Sequence, residues 1–428
     1  MMTLDDSEAG LTGRLNPEQS PSRPGKPGLK AFSSLKNRDF RLLWISTFTA
    51  NNGMQMLILA RGWLVYTMTD SALALGLVAA GMGAPMVLFS VFGGALADRV
   101  QKRNLILLTQ SLICLLNIIM SILITFDLIA LWHLVTSSIV MGTISAFGMP
   151  TRQAFIVDLV EGEDLTNAIA LNSVSMNLCR IGSPALAGVL LKIIGVPGVY
   201  WLVGASYASV VLILARIDAG RSVSVKFNMA LWQDVFTGFR YIRDNSTLLF
   251  LLMVAFVPII VATPYQTLMP VFAKTVFSAG ETGLGLLMSA GGVGALCGSA
   301  LVASIGYMQR KGILMLATGI VFGSALVLFG FCPSLQSAMV VLFFVGGGGS
   351  MFMTLITSLI MGNTPQELIG RVMSIFIMTF GLMPLVMLPA GALAEAFGAP
   401  IVVSVGGAGL VGFLVLIAVS QPRIRKLN

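Results

Sequence analysis

Twelve long apolar stretches make up most of the chain, and they restrict its fold more strongly than any other feature. Each has about 20 mostly apolar residues, the length that an α-helix needs to cross a bilayer. Within lipid every backbone N–H and C=O group needs an internal partner, and the stretches are continuous rather than alternating. Helices are therefore predicted, and a transmembrane β-barrel is not. The predicted spans are 42–66, 73–97, 105–126, 129–149, 168–191, 198–216, 248–272, 283–307, 313–332, 335–361, 372–394 and 400–420.

The composition also excludes a water-soluble protein. Hydrophobic residues make up 56% of the 428 residues and charged residues only 10%, whereas soluble domains carry about 25% charged residues. The chain has one His and four Cys, all four Cys within predicted spans, and its acids are scattered. No catalytic cluster, metal-ligand spacing or phosphate-binding loop is recognisable in the sequence. Neither an enzyme nor a cofactor is therefore predicted.

The net charge of +8 is explained by the distribution of Lys and Arg among the loops. With twelve spans and both chain ends on one side, most of the 26 basic residues fall on that side. Positive residues accumulate in cytoplasmic loops. The prediction is a multi-pass protein of the bacterial plasma (inner) membrane with both termini cytoplasmic. The basic character is a topology signal and does not indicate nucleic-acid binding.

The longest internal polar stretch divides the spans into six and six. The sequence predicts a disordered cytoplasmic tail at 1–39, a six-helix bundle at 40–216, a cytoplasmic linker with an amphipathic helix at 217–247, a second six-helix bundle at 248–421 and a tail at 422–428.

The two halves resemble each other in sequence. The fifth span contains Ser183 to Gly188 (SPALAG), and the eleventh contains Leu388 to Leu393 (LPAGAL), each five spans into its half. Such a repeat predicts a transporter whose substrate lies between the halves near the midplane.

The most specific motif is Gly94 to Arg103 (GALADRVQKR), between the second and third spans. Small residues there let helices approach closely, and Asp98 is suited to a neighbouring helix N-terminus. The alternative is an ordinary basic cytoplasmic loop that contains an acid. The motif resembles the signature loop of the major facilitator superfamily. Arg61 to Tyr66, Pro150 to Phe155 with Ala185 to Gly188, and Gly370 to Ser374 are similar to the bacterial permease group that includes siderophore exporters of the enterobactin type.

This resemblance implies an all-α membrane protein with twelve transmembrane helices in two pseudo-symmetric six-helix bundles. It also implies alternating access and a cytoplasmic gate in which Asp98 faces the eleventh span near Gly370 and Arg371. Arg99 or Arg103 would pair with Asp158 in this gate, and Arg152 occupies the neighbouring basic position.

Several polar residues within the spans are candidates for the transport cavity. Ser173, Asn177 and Arg180 share one face of the fifth span with Pro184, and Arg180 is expected to attract an anionic substrate group. The alternative for Arg180 is a structural partner between helices. In the first span Asn51 and Gln55 share a face that Asn52 adjoins, and these amides suit either the cavity or hydrogen bonds between helices.

Other assignments are less specific. Gln266 lies between Pro264 and Pro270, where a broken helix would expose backbone carbonyls, and Glu395 is the candidate proton site. Arg61 is predicted to reach the lipid headgroups. The run Gly346 to Gly349 is either a bending point or a close-packing surface.

The predicted function is secondary transport of small organic molecules, with proton-coupled export of a siderophore, drug or metabolite preferred. The expected partners are a small-molecule substrate, a proton or another coupling ion, and the lipid bilayer, and the expected state is a monomer. An uptake permease, or a membrane sensor or scaffold that does not transport, are the alternatives.

Overall fold

The computed structural model describes residues 33–97, 100–160, 163–217, 239–304, 310–366, 368–381, 383–421, 425 and 427. Helices make up nearly all of these residues, and no strand occurs among them. Most of the predicted tails and of the predicted linker at 217–247 lie outside the described residues. The end of that linker, at 239–244, is helical.

The first half contains five helical segments. They are α1 (Arg38–Thr69), α2 (Ala72–Ala97), α3 (Lys102–Thr125), α4 (Leu131–Leu159) and α5 (Glu163–Leu214). The last of these is two helices joined at a kink, because Gly195 has φ +67° and ψ 179°. Only glycine adopts this backbone conformation readily, so α5 carries the fifth and sixth predicted spans.

The second half contains α6 (Ser246–Val261), α7 (Gly280–Ser304), α8 (Lys311–Gly330), α9 (Leu335–Gly362), α10 (Ile369–Gly381), α11 (Met383–Phe397) and α12 (Ala399–Ser420). After α6 the chain continues through a 3₁₀ turn at Thr263–Gln266, a short helix and a π-helical turn at Phe272–Val276. Pro264 and Pro270 lack the N–H that a continuous helix needs, which accounts for the interruption around Gln266.

Each predicted span lies largely within a helical segment of the described residues. Nine of the described segments are long and apolar enough to cross a membrane. One of these nine segments, α5, carries two of the predicted spans. The first span lies in α1, which is less apolar and is not among the nine, and the eleventh span is divided between the shorter helices α10 and α11. The predicted all-α membrane class is confirmed, and the described helices are consistent with twelve spans.

The two halves meet where glycines bring helix backbones into contact. A Cβ atom at Gly76 of α2 would lie 2.4 Å from the Met387 carbonyl oxygen of α11. A Cβ atom at Gly285 of α7 would lie 2.5 Å from the Pro184 carbonyl oxygen of α5. In each pair, the helix carrying the repeated Pro-containing segment packs on the second span of the opposite half. This reciprocal packing supports the predicted internal repeat.

Within the second half, the glycine run of α9 packs closely against α7. A Cβ atom at Gly346 would lie 1.9 Å from the Gly291 carbonyl oxygen, and one at Gly298 would lie 2.4 Å from that of Gly347. The helix α9 passes through the run without interruption. Of the two interpretations of Gly346 to Gly349, the structure therefore favours close packing over bending.

This packing predicts different effects for two alanine substitutions in the same run. Gly346→Ala should destabilise the protein by about 1–3 kcal/mol, because the added methyl group forces α7 and α9 apart. Gly349→Ala is the matched control, since its Cβ atom would lie 3.5 Å from the Phe322 ring, an ordinary contact. Thermal unfolding of the purified proteins in detergent measures both effects. Equal midpoints for the two variants would contradict the packing assignment.

Candidate functional site

A cavity of about 240 Å³ lies between the two halves. This central cavity is lined by residues of α1, α2 and α5 from the first half, and by residues 265–270, α7, α9 and Met383 from the second. Most of the lining is apolar. The polar side chains among the described lining residues are Gln55, Arg61, Arg180, Tyr265, Gln266 and Thr267.

The structure brings three of the predicted transport residues together in the central cavity, namely Gln55, Arg180 and Gln266. The Gln266 amide lies 3.4 Å from the Tyr265 hydroxyl and donates to it. Arg180 is exposed and makes no hydrogen bond or ion pair with any residue that the structure describes. Its guanidinium is therefore available to an anion that enters the cavity.

Arg61 is buried, and the prediction that it reaches the headgroups is wrong. Its side chain is only 8% exposed, and Nη1 donates a 2.9 Å hydrogen bond to the Ser138 hydroxyl of α4. Nη2 lies 3.8 Å from the Met82 sulfur of α2. The sequence argument compared Arg61 only with its own helix, whereas α2 and α4 supply its partners. Arg61 ties three helices of the first half together at the edge of the cavity.

The other predicted cavity residues are not among the described residues that line the central cavity. Ser173 donates to the Ile169 carbonyl and the Asn177 amide donates to the Ser173 carbonyl, each at 3.0 Å, so both bond within their own helix. Asn52 is half-buried on α1. Asn51 lines a different cavity.

That second cavity, of about 190 Å³, lies wholly within the first half, and we term it the N-half cavity. Its polar lining includes Asn51, Gln110, Arg152, Asn172 and Tyr207. Arg152 was predicted for the cytoplasmic gate, and the structure places it in this cavity. Gln110, on α3, carries no sequence signal that distinguishes it from any other polar residue within a span.

A group of polar contacts joins the two halves on the side opposite the start of α1, which we term the far face. Asp70, just after α1, forms an ion pair with Lys274 of the second half. Lys274 also lies 5.3 Å from the centre of the Tyr66 ring, and the Tyr66 hydroxyl is 2.7 Å from the Thr275 hydroxyl. All of these contacts join the first half to the second.

Glu395, the predicted proton site, also joins the halves at the far face, and we term its contacts together with those of Asp70, Tyr66, Lys274 and Thr275 the far-face lock. One carboxylate oxygen accepts hydrogen bonds from the backbone N–H groups of Ala72 at 2.6 Å and Leu73 at 3.2 Å, and from the Ser71 hydroxyl at 3.1 Å. These N–H groups have no partner within α2, because they begin the helix. A carboxylate on α11 therefore caps a helix of the opposite half, where the helix dipole favours negative charge.

At the opposite face, where α1 begins, the predicted gate is only partly described. Asp98 and Arg99 lie outside the described residues. Gly370 is exposed with open space beside its Cα, and Arg371 is half-buried.

Asp158 accepts from Lys102 at 2.7 and 2.8 Å, whereas Arg103 donates to the Ala215 carbonyl at 2.7 Å. Of the two predicted partners of Asp158, Arg103 therefore bonds elsewhere in this structure, while Arg99 lies outside the described residues. Lys102, the first residue of α3, lies beside the end of α4 and so reaches Asp158. The sequence did not indicate that the Arg103 side chain would instead contact the chain just after α5.

Two helical halves with a largely apolar cavity between them, which a few polar side chains line, have the architecture of secondary transporters of the major facilitator superfamily. The model of the transmembrane secretion effector family, a branch of this superfamily, matches residues 29–428, and the chain belongs to that family.

Curated relatives agree with this assignment. The staphyloferrin A transporter of Staphylococcus aureus is 26% identical over 78% of this chain and 84% of its own length. The multidrug efflux pump Tap of Mycolicibacterium fortuitum is 23% identical over 92% of this chain and 98% of its own. The enterobactin exporter EntS of Shigella dysenteriae is 24% identical over 78% of this chain and 79% of its own length.

Solved structures show the same fold at low sequence identity. The nucleoside transporter NupG has a TM-score of 0.72 at 12% identity and covers 91% of this chain and 100% of its own. A bacterial homologue of the human lysosomal transporter Spinster has a TM-score of 0.67 at 15% identity, and the match covers 93% of this chain and 96% of the homologue.

The cap on α2 predicts that Glu395→Gln weakens the far-face lock. Loss of the charge should cost about 1 kcal/mol, and therefore shift the equilibrium roughly fivefold toward separation of the halves at this face. Spin labels at Met68 and Phe397, both exposed beside the lock, report the distance between the halves in the purified protein.

Glu281→Gln is the control for that measurement. Glu281 lies in the first turn of α7 and makes no hydrogen bond or ion pair among the described residues. An unchanged distance distribution in Glu395→Gln, or the same shift in Glu281→Gln, would contradict the assignment.

Proposed function

We propose that this protein exports small organic molecules, with an acidic substrate group preferred, across the bacterial plasma membrane by alternating access. Both termini are cytoplasmic in this proposal, so that the far face is the outer face. The observation that carries it is the central cavity between the halves, whose lining includes an arginine with no described hydrogen bond or ion pair, together with the contacts that join the halves at the far face.

The closing contacts suit a gate. The ion pair, the hydroxyl pair and the helix cap each join one half to the other, so separating the halves at the far face breaks them without disrupting either half. The glycine contacts of α2 with α11 and of α5 with α7 continue deeper between the halves. In our proposal the halves rock about these close contacts, and the central cavity opens to each face in turn.

The direction of transport and the kind of substrate rest on the relatives. Two of them bear the names of exporters or efflux pumps, for enterobactin and for multiple drugs, and a third is named for the transport of staphyloferrin A. Arg180 adds a physical reason to expect an acidic group, because an arginine can form two parallel hydrogen bonds to a carboxylate. Gln55 and Gln266 offer neutral hydrogen bonds to the rest of the substrate.

A proton gradient is the proposed energy source. Glu395 is the proposed proton site because it is an exposed carboxylate within the lock. Protonation would remove the negative charge that the α2 N-terminus stabilises, and the far face would then open more readily.

Efflux from energised cells, with and without this protein, tests the proposal. The panel contains siderophores, dyes and antibiotics of different charge, and each measurement is repeated with a protonophore. Protein-dependent efflux that collapses with the protonophore is expected. Efflux that persists would reject proton coupling, and protein-dependent accumulation of a panel compound would reverse the direction.

In the same assay, Arg180→Ala should weaken the apparent affinity for anionic substrates at least tenfold, since a hydrogen bond to a charged group contributes about 1.5–3 kcal/mol. Neutral and cationic substrates should change less than about twofold. Lys192→Ala, an exposed position on the same helix and outside the described cavity lining, is the matched control. Equal losses for all substrate charges would assign Arg180 a structural role instead.

A further inference from the structure

We infer that the central cavity selects unbranched aliphatic acids of medium chain length, with the carboxylate at Arg180 and the chain extending toward the far face. This inference rests on the proposed function, because it takes the central cavity as the transport site and names the class of its substrate. The order of polar and apolar side chains along the cavity carries it, rather than the arginine alone.

The polar side chains of the central cavity lie at the end away from the far face. The helix α1, the first part of α5 and the segment 263–276 all run toward the far face. On α1 the first lining residue is Gln55, and on α5 it is Arg180. On the segment the first two are Tyr265 and Gln266. All three elements therefore place their polar groups at the same end of the cavity.

Arg61 follows Gln55 on α1 but does not reverse this order. Its guanidinium donates to the Ser138 hydroxyl and lies beside the Met82 sulfur, and both of these residues belong to the first half. The charged group is therefore held among helices of the first half, which leaves mainly the aliphatic stem of Arg61 to border the central cavity.

Apolar side chains with accessible surface lie on the far-face side of the polar end. Ile58, a lining residue on α1, is 37% exposed and lies three residues beyond Gln55. Met288 of α7 is half-buried and lies one turn nearer the far face than Gly292, whose backbone packs on the Arg180 carbonyl. An acid bound at Arg180 would therefore have its apolar part beside Ile58 and Met288.

The apolar part of the cavity ends between the halves, at Ala79 of α2 and Met383 of α11, both half-buried lining residues. Gly76 of α2 packs against the Met387 backbone of α11. Ala79 lies three residues beyond Gly76, and Met383 lies four before Met387, so both are about 5–6 Å along their helices from this contact. The close contact of the halves thus limits how far a chain can extend.

The chemistry and the size of the space favour a chain over a ring. Tyr265 is the only aromatic side chain among the described lining residues, and it lies at the polar end, so a ring in the apolar part would find no stacking partner there. On α1 the lining with accessible surface extends from Gln55 to Gly62, about 10 Å along a helix. The volume of about 240 Å³ is below the range of roughly 300–1,000 Å³ for drug-sized ligands.

The charge of the lining selects an acid as the head group. Arg180 has no described partner, and no acidic side chain occurs among the described lining residues. A carboxylate accepts two parallel hydrogen bonds from a guanidinium. The Gln55 and Gln266 amides lie at the same end and can donate to a carboxylate as well.

Isothermal titration of the full-length protein in lipid nanodiscs at neutral pH tests this inference with butanoate, hexanoate, octanoate and octanamide. Empty nanodiscs correct for partition of the compounds into lipid. Saturable binding of the acids is expected, tighter by about three- to fourfold for each added methylene group, because each one is buried against the apolar wall. Octanamide should bind at least tenfold more weakly than octanoate, since it lacks the charge.

Variants of Arg180 locate the head group. Arg180→Met should weaken octanoate about tenfold, to the level of octanamide, and leave octanamide nearly unchanged. Arg180→Lys should keep part of the preference for the acid. Lys192→Met, at an exposed position on the same helix and outside the described cavity lining, is the matched control and should change neither compound.

A variant of Ala79 locates the chain. Ala79→Leu fills the end of the apolar part, so octanoate should lose about tenfold in affinity, the gain from two methylene groups, while butanoate stays nearly unchanged. Ala205→Leu, an exposed position outside the described lining of the central cavity, is the control. If Ala79→Leu binds no compound, Ala79→Val makes the same comparison with a smaller addition.

The inference is overturned if no acid binds saturably, if octanoate and octanamide bind equally, or if affinity does not depend on chain length. Equal weakening of butanoate and octanoate in both Ala79 variants would reject the proposed orientation. Octanoate binding without efflux of any panel compound in cells would contradict the export proposal alone. Efflux of other acids by a protein that does not bind octanoate would contradict this inference alone.

Discussion

Direct contact between helix backbones, made possible by glycine, is the constraint on which the relation between the halves depends. Lipid tails are as apolar as the side chains, so burial alone gives little drive for one span to associate with another. Close approach at Gly76 and Gly391, and at Gly188 and Gly285, supplies dispersion contacts that larger residues would prevent. The central cavity exists because these contacts fix where the halves meet and where they diverge.

Three arginines show how the cost of charge within a membrane is met in different ways. Arg61 is buried, and its guanidinium donates a hydrogen bond to Ser138, so it links helices within the first half. Arg180 and Arg152 face cavities and have no described protein partner. Because a charge within a membrane is costly, the proposed entry of an anionic substrate group would give Arg180 the compensation that no described side chain provides.

The spans were predictable because the thickness of the bilayer fixes the length of an apolar helix, whatever surrounds it. Contacts between helices were less predictable, because they depend on how each neighbour is rotated about its own axis. The structure places Gln55, Arg180 and Gln266 in one cavity, whereas Ser173 and Asn177, predicted from the same helical face as Arg180, are not among its described lining residues. Lys102 was missed as the partner of Asp158, and Arg61 was assigned to the headgroups, since both depend on a neighbouring helix.

The far-face lock includes one acid from each half, and each acid binds a group of the opposite half. Asp70 belongs to the first half and pairs with a lysine, while Glu395 belongs to the second and binds backbone N–H groups. Both contacts involve a carboxylate of one half and a partner in the other, so separating the halves at this face breaks both together. The N–H groups that hold Glu395 belong to the backbone of α2, so among single substitutions at Ala72 and Leu73 only proline would remove one of them.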